Sequence, residues 1–309
     1  MSDYLHRVRR NLGVLTTEQQ DRLRRAHVFI IGCGGVGGTV AMSLARAGVG
    51  RFTLVDPELF EPTNMNRQMC CTQHTLGLNK ATVTAQCIAD VNPEAETAVL
   101  DRVLNLEEVG RLCQDADLVF PAADDFAYSL LSFRLAQEVQ KPALMVVPSG
   151  LWAMVSMIGP SSPPVERLFG LPEGLDYAQL TEVFGRLPFR FAAFFYVMAG
   201  QWTVEHLTSH VENQAPLAQV CPMVWTAAST GALEAFKVLA GLEDVVWSPR
   251  YWWLSSKGSA VQSLFGPNLQ TAMIAQRKIM WKLLHGPAAP LVRKIADVWW
   301  EKVRKPGKG

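Results

Sequence analysis

The sequence predicts an α/β fold: a doubly wound, mostly parallel β-sheet continued by antiparallel strands, with a helical carboxy-terminal part. Short apolar runs alternate with helical patterns through the first half of the chain, which is typical of βαβ units. A glycine-dense loop, 32–37, joins the first apolar run to a helical pattern. A later stretch without charge, 142–165, contains two apolar runs that fit buried strands.

The composition is that of a globular protein with a sizeable core. Of the 309 residues, 49% are apolar and 18% are charged, which allows one large domain or two ordinary ones. The charged amino terminus lacks the apolar segment of an export signal. Six scattered cysteines, with a net charge of +1, suit a reducing compartment. We therefore expect a cytoplasmic protein that has no nucleic-acid partner.

The first long helix is predicted over LTTEQQDRLRRA, with Thr16 or Thr17 as its N-cap. Three arginines stand ahead of it, Arg7, Arg9 and Arg10. A solvated basic turn explains these arginines without any role in a site.

The next segment has the pattern of a phosphate-binding unit. An apolar strand, HVFIIG, enters the loop 32–37, a helix follows to Ala47, and a second strand ends at Asp56. The loop would leave backbone N–H groups and the positive end of the helix dipole facing a ligand. Asp56, 24 residues after Gly32, would present a carboxylate to a ribose hydroxyl, as in Rossmann-like folds. This pattern leaves NAD, FAD and ATP open, and glycines that only tighten a turn would explain the loop as well.

The residues after Asp56 separate these alternatives. The chain continues with Asn64-Met65-Asn66-Arg67-Gln68 and reaches Lys80 through TLGLNKA. Two cations and two amides would then converge near the phosphates, whereas a dehydrogenase needs only the carboxylate. The combination resembles the ThiF/MoeB/HesA family, the bacterial relatives of the ubiquitin-activating enzymes, strongly over 10–104 and less strongly over 117–159.

This resemblance implies an ATP-dependent adenylyltransferase that activates a carboxylate as an acyl adenylate and releases pyrophosphate. It implies ATP and Mg²⁺ as cofactors, and a homodimer in which an arginine near the amino terminus reaches the partner's site. The implied catalytic residues are Arg67, Lys80, Asp124 and, from the partner, Arg10. The implied nucleotide-binding residues are Gly32, Gly34, Gly35, Gly37, Asp56, Asn64 and Gln68.

A helix is predicted over 80–89 and a strand over 95–100, and DLVFPAADDF then reads as a strand running into an acidic loop. Acidic pairs on loops are usually solvated turns. The family has a D-x-x-D-[N or S] loop at this place, which implies that Asp124 binds the magnesium ion. Pro121 and Asp125 depart from that pattern.

The uncharged stretch 142–165 is interrupted by proline and glycine and cannot form a membrane helix. We expect two buried strands, the second antiparallel. An irregular crossover or insert segment should follow. In ubiquitin-activating relatives a crossover loop carries a thioester cysteine, but 161–216 contains none. Cys221 has the most plausible position for such a role, and we expect the enzyme to need no thioester of its own.

The carboxy-terminal part is predicted to be helical. A buried helix is expected over 189–207, and a helix over 226–241 ends on a glycine and resembles the family's late helix near the dimer interface. From residue 277 onward, nine cations stand against two carboxylates. An amphipathic helix docked on the body is expected there, with peripheral membrane contact as the alternative. The residues on its apolar face are Leu291, Ile295, Val298, Trp299 and Val303.

The predicted organisation is an adenylation core with an amino-terminal helical arm (1–160), a crossover segment (161–220), and late helices with a basic tail (221–309), all in one compact domain. No zinc is expected, because no C-x-x-C pair occurs. The substrate would be a peptide or carrier-protein carboxy terminus, or a small acid. Two alternatives remain: an inactive nucleotide-binding partner subunit, and an NAD- or FAD-dependent oxidoreductase.

Overall fold

The computed structural model describes residues 3–185, 201–212 and 214–264, together with individual residues between 266 and 298. Ten helices are described: α1 Asp3–Arg7, α2 Thr17–Arg25, α3 Gly37–Ala47, α4 Lys80–Val91, α5 Leu106–Asp115, α6 Phe126–Glu138, α7 Val165–Leu168, α8 Tyr177–Gly185, α9 Val204–Val211 and α10 Cys221–Ala240. Eight strands are described: β1 His27–Ile31, β2 Arg51–Val55, β3 Glu96–Leu100, β4 Leu118–Pro121, β5 Ala143–Ser149, β6 Trp152–Ile158, β7 Arg250–Ser255 and β8 Gly258–Ser263. Short 3₁₀ turns cover Arg9–Asn11 and Pro62–Asn64.

All eight strands form one sheet in the order β3-β2-β1-β4-β5-β6-β7-β8. Strands β1 to β5 pair in parallel, and β6, β7 and β8 continue the sheet in antiparallel fashion. The predicted fold class is therefore confirmed, including the antiparallel β6. The chain leaves β1 toward β2 on one side and returns to β4 on the other, so a crevice is expected at the carboxyl end of β1.

The central strands are buried on both faces, which explains their continuous apolar runs. In β1, Val28 and Ile30 belong to the core beneath α3, α4 and α10, whereas Phe29 and Ile31 belong to the core beneath α5 and α6. Helix α10 lies close against β5, because a Cβ on its Gly231 would come within 2.7 Å of Val146 Cγ2. This close packing places the amino terminus of α10 beside the loop that follows β1.

The amino-terminal arm packs at the far end of α3. Thr16 is the N-cap of α2 and forms a capping box with Gln19, as expected for one of the two threonines. The hydroxyl of the buried Tyr4 donates to Gly48 O at 2.8 Å, and the amide of Gln20 donates to Ala47 O at 3.0 Å. These contacts fix the arm to the end of α3 that points away from the carboxyl edge of the sheet.

The segment 161–185, expected to be irregular, contains the short helices α7 and α8. They form because Val165, Leu168, Leu180 and Val183 are buried against the α5–α6 face of the sheet. Most of the helix expected over 189–207 lies outside the described residues, and its last four residues begin α9. Within the described part of the chain, no helix combines the length and apolar character needed to cross a membrane.

Part of the expected carboxy-terminal docking is not observed. Leu291, Ile295 and Val298 are 61%, 58% and 51% exposed, so these three side chains are mostly left open, whereas the neighbouring Val292 packs against the core beneath α5 and α6. Trp299 and Val303 lie outside the described residues. The expectation of a docked amphipathic face is therefore wrong for the three residues that can be described.

Candidate nucleotide site

A cavity of about 630 Å³ opens at the carboxyl ends of β1, β2 and β4. This is the point where the strand order reverses, and ligands of doubly wound folds bind there. Nearly all of the residues predicted for a nucleotide site line it: Gly32, Gly34, Gly35, Asp56, Arg67, Gln68, Lys80 and Asp124.

The glycines of the loop have two different roles. Gly32 has φ +99°, and a Cβ there would come within 2.6 Å of Ala122 O. A Cβ on Gly37 would lie 1.8 Å from Gly32 O, so this glycine is required by the turn itself. Gly34 and Gly35 instead face the side chains of Gln68 and Arg67, at 3.6 and 3.3 Å from the position of an added Cβ. The first pair shapes the loop, and the second pair leaves room above it.

Asp56 holds the loop in place from the end of β2. One carboxylate oxygen accepts from the backbone N–H of Cys33 at 2.7 Å, and the other accepts from Glu58 N at 2.9 Å. Burial raises the pKa of this carboxyl, and the two backbone donors oppose the shift. Each oxygen retains a second lone pair. Asp56 can therefore accept a ribose hydroxyl while it anchors the turn.

Lys80 is the first residue of α4, and its side chain is almost fully buried. It pairs at 2.5 Å with Glu58, whose side chain is 61% exposed on the cavity rim. Glu58 belongs to none of the motifs that mark the site in the sequence. The available signal was its spacing, since residues two apart on an extended chain point to the same side. A ligand phosphate would compete with this single carboxylate for the Lys80 charge.

Arg67 and Gln68 lie on the turn that follows Pro62–Asn64. The Arg67 Nε donates to Gln219 Oε1 at 2.5 Å, and Nη1 donates to Asn66 Oδ1 at 2.9 Å. The Gln68 side chain is buried, and its Oε1 has no hydrogen-bond partner among the described residues. An unpaired polar atom at this depth is costly unless a ligand or water pairs with it.

Asn64 does not line the cavity, in contrast to the predicted phosphate contact. Its side-chain oxygen accepts from Glu61 N at 3.1 Å, and its backbone oxygen accepts from Arg67 N and Gln68 N at 3.1 and 2.9 Å. Asn64 thus builds the turn that carries Arg67 and Gln68. The amide beside Arg67 in this structure belongs to Asn66.

The two carboxylates of the acidic loop after β4 have different roles. Asp125 caps α6 by accepting from Tyr128 N at 2.9 Å, and it also accepts from the Tyr177 hydroxyl at 2.6 Å. Asp124 is exposed to the cavity and makes no hydrogen bond within the described part of the chain. No cluster of three metal-ligating side chains occurs among those residues. A magnesium ion commonly takes one or two carboxylates together with nucleotide phosphates and waters, and Asp124 fits such a site.

An apolar wall completes the cavity on the side of β3 and α5, formed by Val103, Leu104, Leu106 and Tyr128. The Tyr128 hydroxyl donates to Leu104 O at 2.9 Å and fixes the ring against this wall. No local pattern in the sequence indicated these residues. The flat, largely apolar face of a nucleotide base could pack against this wall.

Arg10 lies far from the cavity of its own chain. Its neighbour Asn11 donates to Ala47 O at the last residue of α3, while the cavity lies at the first residue of that helix. An eleven-residue helix is about 16 Å long. Arg10 therefore does not reach the cavity of its own chain.

The cysteines are mostly enclosed. Cys33, Cys70, Cys71 and Cys113 are buried, and burial raises the pKa of each of these thiols, for Cys70 and Cys113 to about 12. Cys221 is half-buried at the first position of α10, two residues after the cavity-lining Gln219.

Comparisons with known proteins agree with this architecture. The chain is 37% identical over 128 residues to tRNA threonylcarbamoyladenosine dehydratase of Bacillus subtilis (strain 168), covering 41% of this chain and 50% of that protein. It is 27% identical over 187 residues to MOCS3 of Anopheles gambiae, named an adenylyltransferase and sulfurtransferase, covering 57% of this chain and 42% of that one. It matches the crystal structure of E. coli MccB with ATP at a TM-score of 0.60 and 17% identity, covering 80% of this chain and 65% of that one.

These matches differ in how much of each protein they cover and in what they show. The chain spans about half the length of the first curated relatives that it matches. The structural match, at 17% identity, shows a shared fold. A sequence model of the ThiF family, in contrast, matches residues 8–270, from the amino-terminal arm to the end of the sheet and beyond. The chain therefore belongs to the ThiF family.

Proposed function

We propose that this chain is an ATP-dependent adenylyltransferase that converts a carboxylate into an acyl adenylate and releases pyrophosphate. One observation carries the proposal: Lys80, Arg67 and the side chain of Gln68, whose N–H groups can donate to phosphate oxygens, converge on one cavity above a glycine loop. A dinucleotide oxidoreductase has no use for two cations at this place. The similarity to a protein named adenylyltransferase supports the same reaction class.

The chemistry follows from the poor reactivity of a carboxylate. A carboxylate cannot donate its acyl group because the leaving group would be oxide. When a carboxylate oxygen attacks the α-phosphorus of ATP, a new O–P bond forms and the bond to pyrophosphate breaks. Negative charge then grows on the α-phosphate and on the leaving group, and preorganised cations stabilise it more than they stabilise the ground state.

The residues of the cavity divide this work. Lys80 and Arg67 stabilise the phosphate charge, the Gln68 amide orients the phosphates, and Asp56 accepts a ribose hydroxyl. Asp124 would hold a magnesium ion, which supplies further charge neutralisation when bound. When a nucleotide binds, its phosphate oxygens would replace Glu58 as the ion-pair partner of Lys80.

The finer features of the proposal concern assembly and substrate. A homodimer would bring Arg10 of one copy to the cavity of the other, because its own cavity is out of reach. The substrate would be a peptide or carrier-protein carboxy terminus, or a small acid, in the cytoplasm. The acyl adenylate would pass to an external nucleophile, since four of the six thiols are buried with raised pKa values. We predict no nucleic-acid partner. Because one similar protein is named tRNA threonylcarbamoyladenosine dehydratase, tRNA should be tested as a substrate beside peptides and small acids.

Calorimetry with MgATP, NAD and FAD tests the reaction class directly. We expect MgATP to bind in the micromolar range and the two dinucleotides to bind far more weakly. Micromolar binding of NAD or FAD without binding of ATP would reject the proposal.

A second experiment identifies the substrate. Pyrophosphate exchange into ATP should appear only when the correct carboxylate is present, so it can be used to screen cell fractions that contain peptides, small acids or tRNA. Exchange would also exclude an inactive partner subunit, which would bind ATP and never exchange. Cys221→Ala should retain pyrophosphate exchange, and a separate measurement of the acylated product should show that acyl transfer to an added nucleophile is retained as well.

A further inference from the structure

The last part of the crossover segment, residues 214–220, is fixed to the body on two sides. Toward α9, its backbone bonds to Ser209 O, His206 and His210, and toward the turn after β5 it bonds to Gly150. The bonds are Gln214 N to Ser209 O at 2.8 Å, Ala215 N to Ser209 O at 3.2 Å, His210 Nδ1 with Ala215 O at 2.9 Å, His206 Nε2 with Pro216 O at 3.0 Å, and Gly150 N to Ala218 O at 2.7 Å. Gln219 therefore projects from a firmly held backbone.

Arg67 is contacted both by this segment and by the first turns of α10. Gln219 Oε1 accepts from Arg67 Nε at 2.5 Å, and the indole N–H of Trp225, one turn into α10, donates to Arg67 O at 2.8 Å. Asn66 adds a longer bond, from its Nδ2 to Gln219 O at 3.4 Å, and also accepts from Arg67 Nη1. Both the backbone and the guanidinium of Arg67 are thereby tied to residues about 150 positions away in sequence.

These contacts leave one part of the guanidinium available. Nε and Nη1 are bonded, and Nη2 has no partner within 3–185, 201–212 and 214–264. Gln219 and Arg67 both line the cavity. Two nitrogens of Arg67 are already held before a ligand binds. The side chain therefore loses little further conformational entropy when a phosphate binds, and this lowers the free-energy cost of binding.

The chemistry of the amide also matters. A carboxylate at position 219 would orient Arg67 equally well, yet it would neutralise the charge that a phosphate needs. A glutamine oxygen accepts the hydrogen bond and carries no charge. The residue type therefore suits a group that directs a cation toward an anionic ligand.

We propose that Gln219 is a positioning residue that orients Arg67 toward the nucleotide phosphates, so that the end of the crossover segment forms part of the phosphate site. This inference rests on the proposed function. It gives the crossover segment a structural task at the site that does not require a cysteine.

A double-mutant cycle on MgATP affinity tests it, with calorimetry on the parent, Gln219→Leu, Arg67→Ala and the double variant. We expect Gln219→Leu to weaken MgATP binding about tenfold and to leave adenosine binding unchanged, because adenosine carries no phosphate. In the Arg67→Ala background the same change should have no further effect. Gln86→Leu serves as the matched control, since Gln86 is exposed on α4.

Three results would overturn the proposal: independent effects of the two substitutions, equal weakening of ATP and adenosine, or no effect of Gln219→Leu. If Gln219→Leu does not fold, Gln219→Asn withdraws the amide by one methylene group and should show the same selective loss. A parent protein that binds no MgATP would reject the proposed function as well. A parent that binds MgATP but shows additive losses would reject only the positioning role.

Discussion

Lys80 and Glu58 form an ion pair whose members lie in different surroundings. The side chain of Lys80 is 6% exposed and that of Glu58 is 61% exposed, so the cation has lost its hydration while the anion has kept most of it. A buried charge with one partner depends strongly on that partner. Phosphate oxygens can replace Glu58 at this position, which makes Lys80 a cation prepared for an anionic ligand.

We expect Lys80→Ala to reduce pyrophosphate exchange by about 10² to 10³, the usual loss when a charge-stabilising donor is removed from a site. The fold should persist, because Glu58 remains solvated on the rim. Exchange rates measured with the substrate identified in the screen would show the loss, and circular dichroism would show the fold. Lys257→Ala, in the exposed turn between β7 and β8, is the control. Normal exchange by Lys80→Ala would remove Lys80 from the mechanism.

The two kinds of loop glycine should respond differently to substitution. Gly37→Ala places a Cβ 1.8 Å from a backbone oxygen, and backbone cannot move aside as a side chain can, so we expect a loss of about 3 kcal/mol in unfolding free energy. Gly34→Ala meets only the Gln68 side chain at 3.6 Å and should unfold like the parent while binding MgATP more weakly. Urea denaturation together with calorimetry would separate the two effects. Equal stability of both variants would contradict this division of roles.

At the scale of elements, the first strand is joined to its neighbours by a buried imidazole. His27, at the start of β1, has Nε2 at 2.8 Å from Thr53 Oγ1 on β2 and Nδ1 at 3.0 Å from Asp115 O at the end of α5. Burial lowers the pKa of His27 below its ordinary value of 6.5. The neutral ring is therefore the form that the folded protein prefers.

This preference predicts a pH dependence of stability. A lowered pKa in the folded state gives a contribution that is fully present above the unfolded value and is lost as the pH falls through the folded value. We expect the unfolding free energy of the parent to decrease from pH 7.5 to pH 5.5 more than that of His27→Gln, which cannot titrate. Urea denaturation at several pH values measures the difference. Parallel profiles for the two proteins would show that His27 is not the group responsible.

Local sequence patterns predicted the elements that are determined by interactions between residues close together in the sequence. The N-cap at Thr16, the glycine loop after β1 and the proline-limited end of α4 are of this kind. Helices α7 and α8 were not predicted, because they form only when their apolar residues meet the α5–α6 face of the sheet. Propensity alone does not reveal a helix that is stabilised by distant packing.

The same distinction holds for the site. Asp56 and Asp124 follow the ends of strands, Lys80 begins α4, and Arg67 lies on the turn after Pro62–Asn64, and the topology brings all four to one cavity. Gln219 was missed because its partner Arg67 is 152 positions away and no periodic pattern joins them. Asn64 was assigned to phosphate because a motif names residue types and does not show which side chains build the turn.

At the scale of the whole molecule, the single chain has a nucleotide cavity on one edge of the sheet and its amino-terminal arginines on the other. Arg7 is used within the chain, since it pairs with Glu94 at 3.0 Å. Arg10 lies in an exposed 3₁₀ turn, and the described residues offer it no ion pair. A symmetric dimer would place the arm of each copy against the other, and each copy would then supply one arginine to the cavity of its partner.

This arrangement predicts complementation between inactive variants. Arg10→Ala lacks the arginine that a copy donates, and Asp124→Ala lacks the metal ligand that a copy keeps, so each homodimer should be inactive. A mixed dimer contains one site with both defects and one intact site. Random mixing at equal amounts should therefore restore about a quarter of the parent pyrophosphate exchange, because half of the dimers are mixed and each has one working site of two. Size-exclusion chromatography with light scattering would confirm that both variants dimerise. If they dimerise and exchange subunits yet the mixture stays inactive, the site is not completed by Arg10 of the partner copy.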